Sequence, residues 1–231
     1  MQKFFVVILF FLSLASCSTS QPYSYTNGPN LTDIDGNIYP SIVTSCGQTW
    51  ASKNLSVSRY KDGTVIPQVT DATTWANLTT GAWCYYNNDP STEATYGRLY
   101  NWYAVNDSRG LAPQGWHVPS DVEWNKLTIC IDPAVDTTQC CSNAAGTAMK
   151  NTTGWYSSGN GTNSSGFAGL PGGGRNGDGT FGSVVNGGYW WSASEYVASN
   201  AWFRYLNYYV RYVSRDFSSK SHGFSVRVVR D

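Results

Sequence analysis

The sequence predicts an α+β fold in which two helices and a set of short strands carry long structured loops. Three observations predict it. Apolar positions three and four apart occur around Leu99, and a capping box at Ser120 opens a second helical stretch. Short runs between turn residues recur in the first third of the chain. At the other end Gly223-Phe224-Ser225-Val226-Arg227-Val228 alternates apolar and polar, as strands of a closing sheet do. Between them, Asn151 to Gly188 is Gly, Asn and Ser with scattered Trp155, Phe167 and Phe181, a loop composition held down by aromatic anchors.

From the N-terminus, residues 1–16 read as a lipoprotein signal peptide. Lys3 is the positive end, Phe4 to Leu14 the apolar stretch, and Leu14-Ala15-Ser16-Cys17 a small-residue cleavage pattern. The apolar run falls short of the ~20 residues a membrane-spanning helix needs. The tetrapeptide resembles a bacterial lipobox, in which Cys17 takes the lipid. Ser18 after the cysteine implies, by the same resemblance, an outer-membrane or cell-surface location. Residues 17–32 read as a tether of Ser, Gln, Pro, Asn and Tyr, and residues 33–231 as one domain. Without Lys3 the mature chain holds 14 basic and 15 acidic residues, which argues against nucleic acid as a partner.

Five further cysteines, an odd number, leave at least one thiol without an intramolecular partner. Cys130 with Cys140 or Cys141 would staple a local loop, and Cys46 with Cys84 is a second option. No CxxC occurs, and His117 and His222 stand far from any cysteine pair, so no zinc site is expected.

In Asp33-Ile34-Asp35-Gly36-Asn37-Ile38-Tyr39 a hairpin competes with a calcium loop. Thr44 stands where the loop's twelfth-position carboxylate belongs, which favours the hairpin. Gly47-Gln48-Thr49-Trp50, Asn54-Leu55 and the turn at Lys61-Asp62-Gly63 are short-strand material. Thr95 to Asn106 is expected as the first helix. Ser120-Asp121-Val122-Glu123 is a capping box opening the second, with Val122, Leu127 and Cys130 toward the core. The cap gives Glu123 a structural task, so it is not taken as a catalytic acid. Gly172-Gly173-Gly174-Arg175 lacks the Lys-Ser/Thr of a phosphate loop and reads as a packing turn, as does Asn176-Gly177-Asp178-Gly179.

Between Tyr189 and His222 lie six Tyr, three Trp, two Phe, seven Ser and three Arg, about double the chain's aromatic share of 15%. Rigid amphipathic rings among short polar groups are the composition of a binding surface. Strand parity places Trp202, Arg204 and Leu206 inward and Phe203, Tyr205 and Asn207 outward. Tyr208 and Tyr209 fall at a bend. Arg211, Tyr212, Ser214, Asp216, Phe217 and His222 complete the expected ligand-binding face.

Seven stretches resemble the Fibrobacter succinogenes major paralogous domain. They are Asp35-Gly36-Asn37-Ile38-Tyr39, Gly47-Gln48-Thr49-Trp50, Tyr96-Gly97-Arg98 through Val105, Gly115-Trp116-His117-Val118-Pro119-Ser120, Leu170-Pro171-Gly172-Gly173, Tyr189-Trp190-Trp191-Ser192 and Gly223 to Arg227. The family often carries a cysteine where this chain has Ala112 and another where it has Val228, which implies that these two positions are neighbours in space. His117-Val118-Pro119-Ser120-Asp121-Val122-Glu123-Trp124 looks like a stretch of formylglycine-generating enzymes. That resemblance implies a C-type lectin-like fold with two helices, a small twisted antiparallel sheet and long structured loops. It does not carry the activity, because no cysteine follows Cys141. Residues Trp190 to Arg227 also look like the variable region of diversity-generating retroelement proteins.

The expectation is therefore a surface-displayed lipoprotein that binds a protein or carbohydrate ligand through its C-terminal face, and the last resemblance implies a diversified receptor. It is not expected to be an enzyme and needs no cofactor or metal. Its second expected partner is the membrane, through the lipid on Cys17. A structural envelope lipoprotein, its aromatics serving only as packing, is the alternative.

Overall fold

A capped hairpin and two five-stranded sheets frame the molecule in a computed structural model, which describes residues 22–134 and 144–231. The N-terminal part holds β1 (Tyr25–Asn27), β2 (Leu31–Thr32), β3 (Ile38–Tyr39), β4 (Ser41–Thr44) and β5 (Thr49–Ala51). Next come α1 (Ala72–Ala76), β6 (Trp83–Cys84), α2 (Glu93–Tyr96), β7 (Leu99–Tyr100), α3 (Trp102–Val105) and β8 (Trp116–His117). Then follow α4 (Asp121–Ile131), α5 (Ala145–Met149), β9 (Gly172–Arg175), β10 (Phe181–Val184) and β11 (Gly187–Val197). The chain closes with β12 (Asn200–Asn207), β13 (Ser214–Ser219) and β14 (Val229–Arg230).

The fold is mixed, mostly β and largely antiparallel. One sheet runs β1-β4-β5-β14-β8, and the other β10-β9-β11-β12-β13 with a parallel step between β9 and β11. Within the segment expected as a tether, β1 pairs with β4 and β2 with β3.

The Asp33 loop is a hairpin. Its carboxylate accepts from the Asp35 and Asn37 backbone N–H groups, each at 2.9 Å, and from the Tyr39 hydroxyl. These bonds fill the oxygens that a cation would need.

The first expected helix breaks in the middle. α2 ends at Tyr96, because Gly97 turns to φ +71° and lies so close to the Asn54-Leu55 backbone that a Cβ would come within 2.9 Å of Leu55 O. Leu99 and Tyr100 then pair with β6 as a strand. A new turn of helix starts at Asn101, whose side chain accepts from Ala104 N. The second helix opens on the expected capping box, with Ser120 N donating to Glu123 Oε2 at 2.8 Å. Leu127 and Cys130 face the core, but Val122 is 74% exposed and Trp124 takes the inward place.

Cys46 and Cys130 form a disulfide joining the β4–β5 turn to the last turn of α4. Neither expected pairing of these two cysteines occurs. Cys84 is a buried free thiol, pushed up to about 12 by burial. Cys140 and Cys141 lie outside the described residues, as do the signal segment and Cys17.

Gly172-Gly173-Gly174-Arg175 is a buried strand rather than a turn. Gly173 sits at φ +63°, where a Cβ would meet Gly182 O at 2.5 Å, so only glycine lets β9 press against β10. The expected turn at Asn176–Gly179 joins these two strands.

Adjacent tryptophans on β11 point to opposite sides of the sheet, as the period of a strand requires. Trp191 packs with Tyr100, Phe203, Phe224 and Val226; Trp190 packs with Trp50, Trp124, Phe167 and Leu206. Both faces of this sheet therefore carry core. Loops are tied down by buried cations that donate to backbone carbonyls: Arg175 to Val69 O and Thr70 O, and Lys150 to Asn207 O and Val210 O. Val228 and Ala112 lie in one core cluster, and β14 pairs with β8 in the segment leading to α4, in keeping with the family-based expectation.

Candidate functional site

The register of β11, β12 and β13 decides where the expected contact residues go. Tyr189 lies opposite Tyr205, Phe203 opposite Asp216, and Tyr205 opposite Ser214. These side chains share one face of the sheet. Trp202 lies opposite Phe217 and Arg204 opposite Arg215, so these four share the other.

On the first face four rings form a continuous group. Tyr189 stacks on Tyr205 at 5.8 Å and on Phe224 at 5.2 Å, and Phe203 meets Phe224 at 4.9 Å. His222 closes the group at 5.7 Å from Phe224. A cavity of about 260 Å³ opens here, with Tyr189, Phe203, Phe224 and His222 as apolar walls and Asn176 and Ser218 as polar ones. Burial lowers the pKa of His222 below the usual imidazole value, outweighing the raising effects of the Ser219 backbone carbonyl and of Asp178. Its Nδ1 is buried without a hydrogen-bond partner.

On the second face Tyr196 stacks on Phe217 at 4.2 Å, Trp202 packs edge-on, and the Arg215 guanidinium lies 3.4 Å over Trp202. Arg215 and Arg204 both bind the Asp121 carboxylate at the start of α4. Burial opposes the charge on Asp121, yet the two guanidinium groups hold its pKa below the usual carboxylate value. Burial brings Arg204 down to about 10 despite Asp121.

The third location is the turn from Tyr208 to Val213. Tyr208 meets Tyr156 edge-on at 5.4 Å and Tyr209 at 5.0 Å, and Tyr209 is 71% exposed. Lys150 holds this turn from below. Arg211 is exposed here and Tyr212 half-buried.

The eleven expected residues therefore do not make one face. Tyr205, Asp216, His222 and half-buried Asn207 gather on or beside the first face, Phe217 stands on the second, and Tyr208, Tyr209, Arg211 and Tyr212 occupy the turn. Two are corrected: Phe203 is buried against Trp191 and Phe224, and Ser214 is fully buried. Trp202, expected inward, is half-exposed. The parity rule failed because a sheet with core on both sides has no single outward face. Tyr189, Tyr196, Tyr156 and Asn176 were not anticipated. The adjacent Trp190-Trp191 pair was a usable signal, since two large neighbours on one strand demand burial on both sides.

His117 serves as a hydrogen-bonded packing residue. Nδ1 contacts Asp231 Oδ1 at 2.6 Å and Nε2 contacts Glu123 Oε1 at 2.7 Å, tying the chain end to the capping box. Among the described residues no group of three His, Cys, Asp or Glu is placed to hold a metal ion, and no helix is long and apolar enough to cross a membrane.

The model of the Fibrobacter succinogenes major domain matches residues 43–230. No curated protein and no solved structure matches the chain.

Proposed function

The chain belongs to the Fibrobacter succinogenes major domain family, and from that premise we propose that it is a surface-displayed lipoprotein that binds a protein or glycan ligand. One observation carries the reading. Exposed rings stand on the C-terminal sheet and on its β12–β13 turn: Tyr196 and Phe217 on the strands and Tyr209 on the turn, with fully buried Trp190 and Trp191 anchoring β11. Rings fixed in stacks offer contact area at little entropic cost, the arrangement that binding hot spots use. The Tyr189–His222 cavity adds a recess on the opposite face of the sheet from Phe217.

The proposed scaffold is C-type lectin-like, with the C-terminal strand β14 set between β5 and β8 and long loops above the sheets. Residues Trp190 to Arg227 are proposed as a diversified region, in which exposed Tyr209, Arg211, Asp216 and Phe217 change while the buried frame stays. Sequencing this locus from sibling isolates tests that part; changes confined to frame residues would defeat it. Lipidation at Cys17 is tested by fatty-acid labelling of wild type and Cys17→Ala, and equal labelling of both would defeat the anchor.

Binding itself is tested by presenting the full chain to a glycan array and to surface proteins of co-resident cells. Tyr209→Ala and Arg211→Ala should weaken capture of the ligand found while leaving the melting curve in place, whereas Tyr205→Ala, which also removes a ring stacked on Tyr189 and Phe203, should lower both. The alternative, a structural envelope lipoprotein, draws on the internal use of Phe203 and Phe224 in packing. It gains if these variants neither unfold the domain nor change any binding.

A further inference from the structure

Two facing glycines leave a hollow on the first face of the C-terminal sheet. Gly182 of β10 lies opposite Gly174 of β9, so the two bare positions share one side of the sheet. A Cβ on Gly174 would meet the Phe224 ring at 3.1 Å, which turns that side toward the Tyr189–His222 cavity. A Cβ on Gly182 would meet nothing within 4 Å. Tyr189 of β11, Phe203 of β12 and Ser218 of β13 line the same cavity, so every strand of the sheet contributes to it.

Its walls differ in chemistry. Tyr189, Phe203 and Phe224 form an apolar wall, and Asn176, Ser183 and Ser218 a polar one. Asn176 Nδ2 donates to Thr180 Oγ1, which leaves Oδ1 without a bond, and neither serine hydroxyl has a partner among the described residues. The lining holds no Lys, Arg, Asp or Glu, and burial shifts its one imidazole, His222, further toward the neutral form. A charged ligand would leave water without finding a counter-ion here. An apolar ring would cover three polar groups and return none of their hydrogen bonds. A sugar ring suits both walls, because its C–H face is apolar and its hydroxyls donate and accept.

We propose that this cavity seats one neutral hexopyranose unit of a glycan, with the C–H face toward Tyr189 and the hydroxyls toward Ser183, Ser218 and Asn176. Its volume of about 260 Å³ falls just short of the roughly 300–1,000 Å³ of drug-sized sites, which suits a single ring. A sugar seated here rests on the ligand-binding reading above and narrows the ligand to a glycan.

Calorimetry and saturation-transfer NMR on the full chain test the proposal with the methyl glycosides of glucose, galactose, mannose and N-acetylglucosamine. Methyl glucuronide and phenol are the charged and the aromatic comparisons. At least one neutral glycoside should bind, outbind both comparisons and change little with salt. Gly182→Leu, in open space and outside the left-handed region, should keep the melting curve and weaken that binding about tenfold or more. Ser218→Ala removes one hydrogen bond and should weaken it about fivefold. Tyr209→Ala, on the β12–β13 turn, should leave it unchanged. Failure of all four neutral glycosides, preference for phenol or glucuronide, or indifference to Gly182→Leu would each overturn the proposal. Capture of a larger ligand that resists Gly182→Leu but fails in Tyr209→Ala would sink the cavity alone and leave the ligand-binding reading standing.

Discussion

Arg204 and Asp121 meet between β12 and α4, Nη1 to Oδ1 at 2.8 Å, with the arginine side chain 2% exposed and the aspartate 14%. The pair joins the C-terminal sheet to the first turn of the capped helix. Asp121 also binds Arg215, so one carboxylate serves two guanidinium groups.

Removing that carboxylate should be expensive. Asp121→Ala leaves Arg204 buried without its partner, and such losses cost about 3–5 kcal/mol. Urea denaturation should show the fall. The double variant Asp121→Ala/Arg204→Met should regain much of it, because an apolar side chain of similar length needs no partner. A loss below about 1 kcal/mol in the single variant, the level of surface pairs, would mean that the pair is not buried in solution.

The His117 clasp gives stability a pH dependence. Burial disfavours the charged ring, but the bonds to Asp231 and Glu123 outweigh it and raise the folded pKa. The contribution is then fully present below the unfolded value of about 6.5 and is lost as pH rises through the folded pKa. Glu123 has the opposite sign, its pKa being lowered by the Ser120 bonds and His117 against the effect of burial, so its share is lost as pH falls. Wild type should exceed His117→Gln most clearly near pH 5.5, with the gap narrowing toward pH 9. A gap that widens with pH would contradict the assignment.

Breaking the disulfide should loosen the link between α4 and the N-terminal sheet. Cys46→Ser opens a loop of 84 residues and should cost about 2–4 kcal/mol. Cys84 should stay unlabelled by thiol reagents in the native protein, since burial keeps it a neutral thiol. Peptide mapping after alkylation reads both results. Native labelling of Cys84, or a mapped link from Cys46 to a residue other than Cys130, would show a different arrangement.

The rings of the C-terminal sheet should separate into two classes. Phe203→Ala removes a buried ring and should cost about 3–5 kcal/mol. Tyr209→Ala touches a mostly exposed side chain and should stay within about 0.5 kcal/mol of wild type. Similar melting curves for both would mean that Phe203 is not core.

Local features were legible in the sequence, and long-range ones were not. The α4 cap and the Asp33 hairpin are settled by residues within a few positions of each other, so pattern reading finds them. The break at Gly97 depends on the approach of Asn54 and Leu55, more than forty positions earlier in the chain, and the periodicity from Leu99 to Val105 hides it. Gly172–Arg175 becomes a strand because β10 and β11 flank it, which no local preference signals. The candidate site followed the same division. Composition located the segment, but the sorting of Phe203, Tyr205 and Phe217 rests on a sheet with two cores.

The pairing of β1 with β4 has a consequence for reach. Tyr23 donates its hydroxyl to Ser165 O, and Tyr25 lies opposite Thr44, so the chain is tied to the domain from about Tyr23 onward. With the proposed anchor on Cys17, six residues separate lipid from domain, a span of at most about 20 Å when fully extended. So short a leash would keep every copy at nearly the same height above the bilayer. Neighbouring copies would then form a layer at one level, where weak contacts to a repeating polymer engage together and their avidity exceeds that of a single domain.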